Sequence, residues 1–180
     1  MDKTIDLNRK ALEKEKKDFV KLCKMLEVGA RTITILILIA VPVFILAIGL
    51  DALNIVVEIE GFMAEDYIML GCATLLCVCF GIGLNFIADV FRKMRIEETP
   101  FRYDVADKMK GAGLAFVVAG GLAFTFNVTL MILNGAGVLD FADVPTYPDF
   151  FSFVLGVFLL ALAYVFNYGC KLQQEADETI

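Results

Sequence analysis

The chain carries no histidine and a single serine, Ser152, so the nucleophile and base of a Ser–His hydrolase cannot be assembled from it. It has no glycine-rich phosphate loop and no His-Glu-x-x-His zinc motif. Its soft-metal ligands are five cysteines: Cys23, Cys72, Cys77, Cys79 and Cys170. Three of them share one apolar run, but Cys77 and Cys79 take different sides of a helix and no histidine completes a set. They read as small apolar filling. The expectation is a non-enzymatic protein with no catalytic, cofactor or metal site. What remains is binding chemistry. The stretch 89–111, DVFRKMRIEETPFRYDVADKMKG, holds Arg92, Lys93, Arg95, Arg102, Lys108 and Lys110. The end of the chain offers Gln173, Gln174, Glu175 and Asp177. Guanidinium groups donate to carboxylates and amides in a fixed fork, so the two stretches are complementary.

Four apolar runs must position these stretches, at about 32–50, 67–88, 112–133 and 150–168. A helix rises about 1.5 Å per residue, so about 20 residues cross a hydrocarbon layer of about 30 Å. The chain is 59% hydrophobic with mean hydropathy +0.74, which suits a membrane protein. The fold class that follows is all-α, an integral membrane four-helix bundle with an amphipathic N-terminal cytoplasmic helix. Residues 1–31 form the basic N-terminal helix, and residues 32–180 form the four-span domain with its tail. In the first part, Leu12, Phe19, Leu22, Cys23 and Leu26 recur at helical steps opposite a row of lysines. Such a helix either lies on the lipid surface or extends the first span into the cytoplasm. Pro42 is expected to kink the first span.

Charge sets the orientation. Nine Lys and Arg residues lie in 1–31, six in 89–110 and one in 169–180, with none in either outer loop. The outer loops hold eight acids instead. Retained cations mark the cytoplasmic side, so both termini and the 89–111 loop are expected on the cytoplasmic side of the cell membrane. The net charge of −6 hides this partition. No broad basic surface for direct nucleic-acid binding is present. No cleavable signal is expected, because the first apolar run starts behind a charged helix. No cysteine falls in an outer loop, so no disulfide framework is expected.

Within the runs, small and polar residues recur every four positions, which marks faces turned to other helices. The second run has Cys77, Gly81, Asn85 and Asp89, with Arg92 or Lys93 to pair Asp89. The third has Ala115, Ala119, Ala123 and Asn127, a face suited to packing within the bundle or to a homo-oligomer seam. The fourth has Gly156, Ala163, Asn167 and Cys170, on one face by steps of seven, four and three, and is expected to continue as helix into the tail. At the charged loop, Thr99 and Pro100 are expected to open the third helix, with Phe101 and Tyr103 anchoring the loop against the bundle end.

Two stretches carry a family resemblance: Glu98-Thr99-Pro100-Phe101 with Val105 and the entry Lys108–Gly113, and the ending from Phe166 to Thr179 that includes Gly169, Leu172, Gln173, Glu175 and Asp177. Together they resemble a family of uncharacterised bacterial four-span membrane proteins described only as a domain of unknown function. The resemblance implies a non-enzymatic membrane component, and by association a small cytoplasmic helix-turn-helix regulator as partner. The residues themselves suggest one inner platform made of Arg92, Arg95, Pro100, Phe101, Arg102, Leu172, Gln173, Glu175 and Asp177, with Arg92, Arg95 or Arg102 pairing Glu175 or Asp177. The function expected is a regulatory, sensing or anchoring protein. The alternative is an oligomeric small-solute or ion transporter subunit. Against transport stands a membrane interior without ionisable groups, where Asn127 is the strongly polar side chain.

Overall fold

The computed structural model describes residues 2–52, 64–97, 99, 102–137 and 149–178. Expectations for most of the two outer loops, for Pro100 and Phe101, and for the side chain of Asp177 fall outside the described residues. The described residues are helical almost throughout. In chain order the helices are α1 (Asp2–Ala52), α2 (Ala64–Glu97), α3 (Tyr103–Gly135) and α4 (Asp149–Glu178). Each is long and apolar enough to cross a membrane, the architecture of a multi-pass membrane protein.

Helix α1 has no break at the boundary between residues 31 and 32. Its 51 residues form one rod of about 76 Å, so the N-terminal part is an extension of the first span. The junction is reinforced locally. Glu27 and Arg31, one turn apart, pair at 3.3 Å. Thr32 and Thr34 return their hydroxyls to the carbonyls of Val28 and Ala30, both at 2.9 Å. The helix runs on through Pro42. Cys23, Glu27, Ala30 and Thr34 form its buried edge, while Leu22, Met25 and Val28 stay exposed.

Among the described residues, close helix–helix contact is confined to chain neighbours: α1 with α2, α2 with α3, and α3 with α4. The bundle is thus an antiparallel row, and α3 carries a neighbour on each side for much of its length. The α2–α3 hairpin is fitted by exchange of rings for glycines. Gly83 faces the Phe116 ring, and Gly111 faces the Phe86 ring. Between α3 and α4 the backbones themselves meet. A Cβ placed on Gly156 would stand 2.6 Å from Val117 N and 2.8 Å from the Gly113 carbonyl oxygen. Only glycine permits that approach, a device typical of membrane helices. Carried along both helices, this register sets Asp149 about level with Ala123, so about a dozen residues of α3 run on past the start of α4. The apolar run of α4 is thereby shifted toward the charged end.

The packed core sits at that same end. Cys23, Val90, Met94, Val105, Met109 and Ala163 are buried together, with Phe19, Phe91, Leu159, Leu162 and Phe166 against them. Most of these lie outside the four apolar runs, where burial removes surface from water. Within lipid that gain is absent. Accordingly the spans expose large apolar residues such as Leu36, Ile39, Phe124 and Phe158.

The expected packing stripes are only partly on buried faces. Gly81 is buried against Ile37 of α1, whose Cγ2 would lie 3.6 Å from an added Cβ. Asn85 is exposed, against expectation. A four-residue step overshoots a full turn by about 40°, so the stripe rotates off the interface within two steps. Ala119 and Ala123 are buried, and Ala115, Asn127 and Asn167 are half-buried.

Candidate docking groove at the charged end

The charged ends are held by ion pairs across helices. On the α2–α3 hairpin, Asp89, Lys93 and Glu97 recur every four residues. Their partners are Lys108 at 3.3 Å, Asp104 at 2.6 Å and Arg102 at 3.3 Å respectively. The signs alternate along the ladder, which admits one register and penalises a slip. Lys108 also lies 5.3 Å from the centre of the Phe86 ring. Asp89 therefore pairs across the hairpin with Lys108, in place of the expected Arg92 or Lys93. The reason is the antiparallel register, which brings Lys108 alongside. Lys93 in turn holds the Asp104 carboxyl below the usual carboxylate range by a hydrogen bond and by charge.

The α1–α2 interface has a different lock. Glu27 is 6% exposed and accepts a hydrogen bond from Arg95 Nε at 3.0 Å, with Arg95 Nη2 at 2.9 Å from the same oxygen. Its other oxygen faces Arg31. A carboxylate this buried needs such partners. Nothing in the expected platform included Glu27. The available signal was an acid one turn before Arg31 at the edge of the first apolar run.

These partnerships revise the platform. Arg95 turns to α1, away from the tail, and Arg102 pairs with Glu97. Arg92 is exposed and bonds to no described residue. Thr99 is not the N-cap residue of α3. Arg102 takes the N-cap position in extended conformation with no side-chain cap, its carbonyl accepting from Val105 and Ala106. Helix α3 starts one residue later, at Tyr103.

Loop and tail nevertheless meet. Helix α4 continues past Cys170 to Glu178 without interruption. Tyr103 Oη contacts Gln174 Oε1 at 3.5 Å, and Gln174 Nε2 donates to Glu178 at 3.0 Å. Between them lies an open groove of about 580 Å³. Thr99, Arg102, Tyr103 and Asp104 form one wall, and Cys170, Gln173, Gln174 and Glu178 the other. Leu172 and Glu175 are exposed on the same helix, outside this lining. The groove is rich in donors and acceptors. The thiol of Cys170, a buried member of the lining, is pushed up by burial more than Arg102 pulls it down. Cys23 is likewise raised by burial. Among the described residues no cluster of His, Cys, Asp or Glu could hold a metal ion. No protein-family model, no curated protein and no solved structure matches the chain.

Proposed function

We propose that this protein is a non-enzymatic membrane anchor that docks a cytoplasmic protein, in a regulatory or sensing role, at its charged end. The observation that carries the reading is the groove between the start of α3 and the extended α4 tail. Its walls offer the Arg102 guanidinium, the Tyr103 hydroxyl and the Gln173 and Gln174 amides. Such a lining suits a peptide surface held by hydrogen bonds together with the apolar stems of the same side chains. The confinement of Lys and Arg to one face supports a cytoplasmic position for the groove and both termini. The partner class favoured by the family resemblance is a small helix-turn-helix regulator, with nucleic acid contacted by that partner and not by this chain.

A photo-crosslinking amino acid at Gln173, in the full chain in cell membranes, tests this. Expected is one crosslinked cytoplasmic helix-turn-helix protein, lost in the double variant Arg102→Ala, Gln174→Ala. Crosslinks to lipid or to other copies of the chain alone would refute the reading.

A further inference from the structure

On the side of the α3–α4 pair turned away from α2, two cavities lie along one line. The first is a niche of about 60 Å³ lined by Ala106, Asp107, Lys110, Ala163, Tyr164 and Asn167. It offers an ammonium, a carboxylate, a phenol hydroxyl and a carboxamide from two helices. None of these four polar side chains bonds to a described residue. Lys110 and Asp107 are one turn apart and make no ion pair with one another. The niche stands at a membrane boundary, because Lys110 ends the charged stretch and the third apolar run starts two residues later. Exposed Tyr164 and Tyr168 are the aromatic residues that favour that depth.

The second cavity, about 390 Å³, is lined by Gly120, Gly121, Phe124, Phe150 and Phe153 and is almost wholly apolar. Lys110 and Gly121 lie three turns apart on the same face of α3, since eleven residues bring a helix back within about 20°. On α4, Tyr164, Val157 and Phe153 share one face in the same way. The rise from Lys110 to Gly121 is about 16 Å, close to half the roughly 30 Å hydrocarbon layer. That is the depth to which a lipid acyl chain reaches from its headgroup.

We infer that this groove binds one aminophospholipid from the adjacent leaflet, its phosphate at Lys110, Tyr164 and Asn167, its primary ammonium at Asp107, and one acyl chain ending in the Phe124–Phe153 cavity. An anionic lipid without the amine meets an unmatched carboxylate at Asp107. A choline headgroup offers Asp107 no N–H donor. The inference rests on α3 and α4 crossing a membrane and is independent of the docking groove.

Native mass spectrometry of the full chain, released from detergent after mixing with equal amounts of phosphatidylethanolamine, phosphatidylcholine and phosphatidylglycerol, tests it. One phosphatidylethanolamine is expected to stay bound, about tenfold in excess over either competitor, as a charge-assisted hydrogen bond warrants. Asp107→Asn should erase the preference over phosphatidylglycerol, and Lys110→Met should lower total retention about tenfold. No atom lies within 4 Å of a Cβ added at Gly121, so Gly121→Leu has room on the helix and places an isobutyl group in the cavity. It should release the lipid while the melting temperature in lipid-free detergent holds. Equal retention of the three lipids, or retention unmoved by Lys110→Met or Gly121→Leu, would overturn the assignment. Soluble glycerophosphoethanolamine is not expected to displace the lipid, and displacement at equal concentration would remove the acyl half of the site.

Discussion

Arg95 on α2 closes onto Glu27 of α1, with Nη2 2.9 Å from the carboxylate oxygen, although 68 residues separate them in the chain. The two partners are not equally placed. The Glu27 side chain is 8% exposed, and that of Arg95 is 34% exposed. Removing Arg95 leaves a buried carboxylate leaning on Arg31 alone. Removing Glu27 leaves two guanidinium groups that water can reach. Arg95→Met should therefore destabilise by about 2–3 kcal/mol and Glu27→Gln by about 1 kcal/mol. Chemical denaturation in mild detergent measures both, and equal losses would contradict the account.

The hairpin ladder predicts an acid limit. Asp104 has its carboxyl held below the ordinary value of about 3.9 by Lys93. A depressed folded value adds stability above the unfolded value, and that stability fades as pH falls through the folded one. Thermal melting should thus be flat on this account above about pH 5 and decline below about pH 4. Asp104→Asn should remove its share of the decline. An unchanged acid limb in that variant would show the pair to be idle.

The α3–α4 crossing should tolerate no side chain. Gly156→Ala drives a methyl against Val117 N and the Gly113 carbonyl, which are backbone atoms and cannot rotate aside. A loss of about 1–3 kcal/mol is expected, from overpacking. Gly71→Ala, with open space around it, is the control and should be neutral or slightly stabilising. Similar melting temperatures for the two variants would mean that the helices do not touch there.

Orientation can be read directly. Arg92 is exposed, so Arg92→Cys presents a thiol at the charged end. A membrane-impermeant thiol reagent should label it in inverted membrane vesicles and not in whole cells, beyond the wild-type signal. Labelling from outside would turn the topology over.

The four helices and the one-sided cations were legible because length, composition and charge partition are properties of segments. The continuity of α4 into its tail was legible for the same reason. Partner choice was not. Lys108 takes Asp89 and Arg102 takes Glu97 because of a register set by the ring–glycine fits at Gly83 and Gly111. No local pattern announces that register. Asn85 shows the same limit: four-residue spacing named a stripe, but the stripe drifts around the helix and left the interface. Glu27 was hidden in a run of charges that reads as solvated, and only its distance to Arg95 reveals it as buried.

The cluster around Cys23, Val90, Met94 and Val105 lies at the charged end, beyond the apolar runs of α1, α2 and α3. Its cohesion comes from water, whereas the spans beside it are surrounded by a solvent as oily as themselves. Assembly then has a natural order. Each hydrophobic segment can enter the bilayer as a separate rod, and the wet ends, closing on each other like a drawstring, add to the glycine crossings a cohesion that lipid does not supply. A thicker or thinner membrane would tilt the rods and leave the knot tied.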